Sequence, residues 1–256
     1  MILCVFEGAE REPRLFRTLK YLFFGESEVI VCSFGNNIYE LYRQLQELGG
    51  DGDIVAILRE NNADGLLEDV LLSDFSEIYL FFDYDFQNTN LSLDEMNERL
   101  KEMLDLFNDE TNNGKLFVSY PMVESLLYTK KLPDEHFVEY TVSRSDCMGH
   151  SFKDLARSFS FYGSFDFIEL PDSRHHQLKK KEIEKVRANW VHIINQHTNK
   201  ANYITSQSNS MPVNKEYVSQ QRIFESQCLK YLCDEERIAI LNGFPLFLFE
   251  YFKEIG

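Results

Sequence analysis

The chain has 256 residues, enough for one large domain or one domain with a substantial second lobe. With 44% hydrophobic residues it has ample core material, which excludes a disordered chain. A net charge of −16 excludes a surface that attracts nucleic acid everywhere, but not a carboxylate metal site served by a local basic patch.

Met1–Phe6 is a continuous apolar run and predicts a strand buried on both faces, ended by Glu7-Gly8. Pro13 suits the first turn of a helix, and Leu15, Phe16, Leu19 and Leu22 continue it to a stop at Gly25. Val29–Phe34 predicts a second strand. A helix with Ile38, Leu41, Leu45 and Leu48 on one face follows, stopped by Gly49-Gly50. Asp53–Leu58 reads as a third strand or a helix, and Leu66–Leu72 as a short helix. Glu77–Phe82 predicts a buried strand running into Asp83-Tyr84-Asp85, and Leu93–Phe107 predicts a helix. Lys115–Ser119 is a further strand, after which Pro121 opens a helix through Tyr128.

Strands alternating with helices predict an α/β fold over residues 1–130, a parallel sheet with helices on both faces. In such sheets the functional crevice lies at the carboxyl ends of the strands. Glu7, Asp83 and Asp85 each follow an apolar strand and are expected there. Residues 131–256 read as a mainly helical lobe packed on this core. Its helices are Lys179–Gln196 and Tyr217–Leu232, with a polar loop over Ile204–Pro212. The apolar run Phe244–Phe252 reads as core.

Cys4, Cys32, Cys147, Cys228 and Cys233 lack CxxC spacing, so reduced cysteines are expected, with Cys4 and Cys32 in the core. His175 and His176 are adjacent and His192 and His197 are five apart, so no helical zinc pair is expected. Glu7, Glu10, Arg11 and Glu12 interrupt the opening apolar run too early for a signal peptide. No stretch has the length of a membrane span, so a cytoplasmic protein without membrane contact is expected.

Two aspartates one residue apart at a strand end are hard oxygen ligands suited to Mg²⁺ or Mn²⁺. Receiver domains, glycosyltransferases, phosphatases and plain turn aspartates share that signal. Gly8 fits a strand-to-helix turn where an anion approaches the backbone. Arg14, Arg17 and Lys20 form a basic stripe on the helix after it. Residues 174–200 hold seven Lys/Arg, including Lys179, Lys180 and Lys181, against two Glu. Such segments are either phosphate contacts or a solvated helix face.

The segment Glu7-Gly-Ala-Glu-Arg-Glu12-Pro13-Arg-Leu-Phe16 resembles the EGxxxEPxxF opening of RloB-like and abortive-infection Toprim proteins. Tyr120-Pro-Met-Val-Glu124-Ser-Leu-Leu-Tyr128 is similar to the NPxFExWLL segment of that group. Here Tyr stands for Asn at 120, Val for the aromatic at 123, and Ser follows Glu124. With the Asp83-x-Asp85 strand end between them, the resemblance covers roughly residues 1–125. It implies a Toprim-like core in which Glu7 is a metal ligand or general acid/base and Asp83 and Asp85 hold Mg²⁺. Glu12 and Glu124 would join the same site. It further implies a metal-dependent nuclease acting on DNA or RNA in bacterial anti-phage defence, with a partner ATPase or by self-association. Two other readings stand beside it. One is a non-catalytic regulatory or binding subunit that keeps the fold. The other is an Asp-x-Asp nucleotide-sugar transferase, which leaves Glu7-Gly8 without a role.

Overall fold

A computed structural model describes residues 1–25, 27–49, 53–61, 67–149, 151–172, 177–232 and 236–252. Its centre is a five-stranded sheet of β1 (Ile2–Phe6), β2 (Val29–Ser33), β3 (Glu77–Asp83), β4 (Asn108–Asp109) and β5 (Gly114–Ser119). The strand order is β2-β1-β3-β5-β4. The first four of these are parallel, and only the two-residue edge strand β4 is antiparallel. Every residue of β1 is buried, as are the five central residues of β3, whereas the edge strand β2 is mostly half-exposed. The apolar runs thus became the inner strands, as doubly covered parallel sheets require.

Helices cover both faces. On one face Phe6, Phe81 and Phe117 point at α1 (Arg11–Leu19) and at the last helix, Gly243–Tyr251. Phe16 lies 5.4 Å from Phe6, and Phe244 stacks on Phe81 at 4.7 Å. On the other face Phe34 meets Phe82, and α2 (Ile38–Glu47) packs on α4 (Leu93–Leu106). Pro13 falls in the first turn of α1, where its missing N–H is not needed. A π-helical turn, Lys20–Phe24, extends α1 to Gly25, whose φ of 59° ends it. Asn37 caps α2 by accepting the Glu40 N–H, and Ser92 and Glu95 form a capping box on α4. Cys4 and Cys32 are buried, as expected.

Some elements depart from the sequence reading. Ile54–Asn61 is a helix, α3: Asp53 accepts the Ala56 N–H, and Ile54, Val55, Ile57 and Leu58 are buried at helical spacing. The described part of 66–72 is a turn at Leu67–Asp69, followed by a 3-10 turn over Leu72–Asp74. Leu48 is half-exposed instead of facing the core. Pro121 starts no α-helix. Tyr120 exchanges backbone hydrogen bonds with Leu241 and Met122 is extended, so only a 3-10 turn, Val123–Leu127, fits before Tyr128.

Beyond residue 130 come β6 (Thr141–Ser143), α5 (Arg144–Gly149), α6 (Phe152–Phe159), α7 (Lys180–Ser206), α8 (Gln220–Gln227), β7 (Arg237–Ala239) and α9 (Gly243–Tyr251). β6 and β7 pair antiparallel, a ribbon too short to show in the sequence. α7 runs ten residues past the expected end, and the polar loop starts at Gln207, whose φ of 65° closes the helix. A π-helical turn, Cys228–Leu232, prolongs α8. Among the described residues no helix is long and apolar enough to cross a membrane.

Candidate functional site

The chain leaves β1 through α1 toward β2 on one side, while β3 and β5 lie on the other. The carboxyl ends of β1 and β3 therefore flank the point where the strand order reverses, the usual ligand crevice of an open α/β sheet. Glu7 follows β1 directly and Asp83 ends β3. Parallel pairing sets Phe6 against Phe81, and the Glu7 N–H donates to the Phe81 carbonyl at 3.0 Å. The Glu7 side chain then crosses to the neighbouring strand, where its Oε2 accepts the Asp83 N–H at 3.0 Å.

A cleft of about 370 Å³ opens over this point. Its acids are Glu7, Glu12, Asp83 and Glu124 with the exposed Glu10 at the rim, and Gly8 forms part of its wall. Glu12 is buried in the first turn of α1. A Cβ on Gly8 would stand 2.8 Å from the Glu12 Oε2, so the missing side chain is what admits that carboxylate. Glu124 is buried on the 3-10 turn after β5, and its Oε2 has no hydrogen-bond partner among the described residues. Leu241 and Asn242 buttress that turn: Ser125 Oγ donates to the Leu241 carbonyl, and the Asn242 amide donates to the Val123 carbonyl and to Ser125 Oγ.

The Asp-x-Asp pair divides. The backbone turns at Asp85, whose φ is 57°, a conformation aspartate tolerates better than most side chains. Asp85 accepts from Gln87 and is not in the cleft lining, although its charge still reaches Glu7. The two-residue alternation of a strand stops at Asp83, so it does not govern residue 85.

Burial, followed by the Asp85 charge, pushes the Glu7 carboxyl up to about 8. Asp83 is raised well above the usual range by burial and by Glu7, Glu12 and Glu124. Burial raises Glu12 and Asp85 as well. Lys153 opposes these shifts at Glu7, Glu12 and Asp85, and its Nζ lies 3.8 Å from Glu124.

Cations line the same cleft. Arg11 and Arg14 come from α1, and Lys153 and Arg157 come from one face of α6. Tyr128, stacked between Phe152 at 5.6 Å and Phe159 at 4.2 Å, holds α6 beside the Glu124 turn. Arg14 also borders a second cavity of about 560 Å³, together with Arg17 and Lys185. Arg14 is paired with Glu169 and Arg17 with Asp172. Lys179, Lys180 and Lys181 are exposed at the start of α7, line neither cavity, and include a Lys180–Glu184 pair at 3.7 Å. Arg174, His175, His176 and Cys233 lie outside the described residues.

Sequence reading missed Arg11, Lys153, Arg157 and Glu169. The i, i+4 spacing of Lys153 and Arg157 was visible, but nothing local to α6 places it over the β1 and β3 ends.

Among the described residues no three His, Cys, Asp or Glu side chains already converge as a metal-binding group. The acids share the cleft without forming a coordination set. Their chemistry nonetheless fits a hard divalent cation: carboxylates confined together, one buried oxygen without a partner, and a glycine making room for another. No family model, no curated protein and no solved structure matches the chain.

Proposed function

We propose that this cleft is a divalent-metal, phosphodiester-handling site and that the protein is a metal-dependent nuclease of the Toprim type. The observation that carries the reading is the joining of Glu7 and Asp83 across the two central strands at the switch point. Buried acids crowded beyond what Lys153 neutralises favour a divalent cation, and a rim of arginine and lysine favours a phosphate group. Glu7, Asp83, Glu12 and Glu124 would hold Mg²⁺ or Mn²⁺, with Asp85 adding its field from the side. When bound, such an ion supplies Lewis-acid stabilisation of a phosphoryl oxygen. Arg11, Arg14, Lys153 and Arg157 bind and orient the anion above the acids. Without a cation, burial lets the Glu7 carboxyl hold a proton up to about 8, and a cation bound there would displace it.

The test is incubation of the protein with plasmid, linear DNA and RNA in Mg²⁺, Mn²⁺ or EDTA. Cleavage should require metal and fall about 10²–10⁴-fold in Glu7→Ala and Asp83→Asn, the usual range for loss of an acid–base group. No cleavage of any substrate, alone or with a candidate ATPase, would sink the reading. A second reading, a non-catalytic subunit acting through a partner, is favoured by the −16 charge, and that outcome would leave it standing.

A further inference from the structure

Glu169 does not line the cleft, yet it fixes two of the cleft's cations. It is 8% exposed and follows a 3-10 turn, Phe165–Phe167. The next residue is fastened to α1, because the Leu170 N–H donates to Thr18 Oγ1 at 3.0 Å. Each Glu169 oxygen takes one guanidinium: Arg11 Nη1 on Oε1 at 2.9 Å and Arg14 Nη2 on Oε2 at 2.9 Å. Arg11 is held a second time, 4.3 Å over the Phe165 ring, while Arg14 has no such support among the described residues and is 55% exposed.

Arg11 and Arg14 stand on the helical turn that carries Glu12, and they share the cleft with five carboxylates, of which Glu10 is exposed. A guanidinium beside carboxylates forms charge-assisted pairs with them unless another acid engages it first. Such pairing would block the oxygens that a divalent cation needs, and it would turn the cations away from an entering phosphate. A lone arginine could be kept back by packing. Two arginines one turn apart, one of them half-exposed, need an acid.

We infer that Glu169 is a positioning residue. It holds Arg11 and Arg14 at the cleft mouth as a preset pair of anion-binding guanidiniums and keeps them off Glu7, Glu12, Asp83 and Glu124. The inference rests on reading the cleft as a metal and phosphodiester site.

The experiment measures Mn²⁺ binding by calorimetry for wild type, Glu169→Gln, Arg14→Ala and the Glu169→Gln/Arg14→Ala double variant, with a crystal structure of Glu169→Gln. Mn²⁺ affinity should fall about tenfold or more in Glu169→Gln, as when residues that orient metal ligands are changed. Removing Arg14 in that background should restore it, and Arg14→Ala alone should not weaken it. In the crystal, the Arg14 guanidinium should lie on a cleft carboxylate. A loss that persists in the double variant means a merely structural role and overturns the inference, as does unchanged affinity with Arg14 still at the mouth. If wild type takes up no Mn²⁺, the metal reading fails by itself. The position of Arg14 in the Glu169→Gln crystal then decides the role of Glu169: on a carboxylate supports it, at the mouth overturns it.

Discussion

Burial and the nearby Asp85 charge keep a proton on Glu7 up to about pH 8, whereas the same group unperturbed releases it near 4.5. Between those values the folded protein binds the proton and the unfolded chain does not. Stability from this group is therefore complete below pH 4.5 and is lost as pH rises to 8, at up to about 1.4 kcal/mol per pH unit. Denaturant titrations of wild type and Glu7→Gln should show the variant gaining on wild type from pH 5 to 8, then levelling. Parallel curves across that range would contradict the burial of an acid cluster here. Glu7 and Asp83 were legible in the sequence because an apolar strand delivers whatever follows it to one edge of the sheet. Asp85 was legible as an acid but not as a residue turned aside, because its left-handed backbone is set by a turn against Pro121. Glu169 and Arg11 meet across 158 positions, a pairing that no local pattern announces.

At the scale of elements, α9 covers the sheet. Phe244 and Phe247 lie against Phe81 and Phe117, and the helix begins so close to β5 that a Cβ on Gly243 would stand 3.1 Å from the Phe117 carbonyl carbon and oxygen. Since backbone cannot swing away as a side-chain tip can, Gly243→Ala should cost about 1–3 kcal/mol, the range for overpacking a filled core, as read from the denaturation midpoint. Unchanged stability would mean that α9 is free to lift from the sheet. Asn242 makes this junction a hub: it caps α9 at the Phe244 N–H, its own N–H donates to His197 Nδ1 on α7, and its amide supports the Glu124 turn. The alternation of strands and helices was legible because buried parallel strands are apolar throughout. The sequence leaves the helical form of Ile54–Asn61 open because five consecutive apolar residues satisfy either period, and only the Asp53 cap and the neighbours decide. Pro121 misled because a distant segment, Leu241, claims the Tyr120 backbone.

Across the whole molecule, a −16 chain gathers Arg11, Arg14, Lys153 and Arg157 around one cleft, beside the acids that cleft contains. Phe6, Tyr79, Phe81 and Phe117 depend on α9 for cover, so the sheet draws its core from residues far apart in the chain. A fragment of residues 1–130 is expected to aggregate or to lack a dispersed amide spectrum, whereas the full chain unfolds cooperatively. A well-dispersed spectrum from the fragment would show that one face of the sheet can do without its helix. The same dependence sets a clock during synthesis. Some 124 residues separate Ser119, the end of β5, from Gly243, the start of α9. At about 5–20 residues per second the ribosome needs about 6–25 s to cover that distance. Until then the acids of the cleft ride on strands with one bare aromatic face, and the nascent chain is exposed to chaperones for that whole interval.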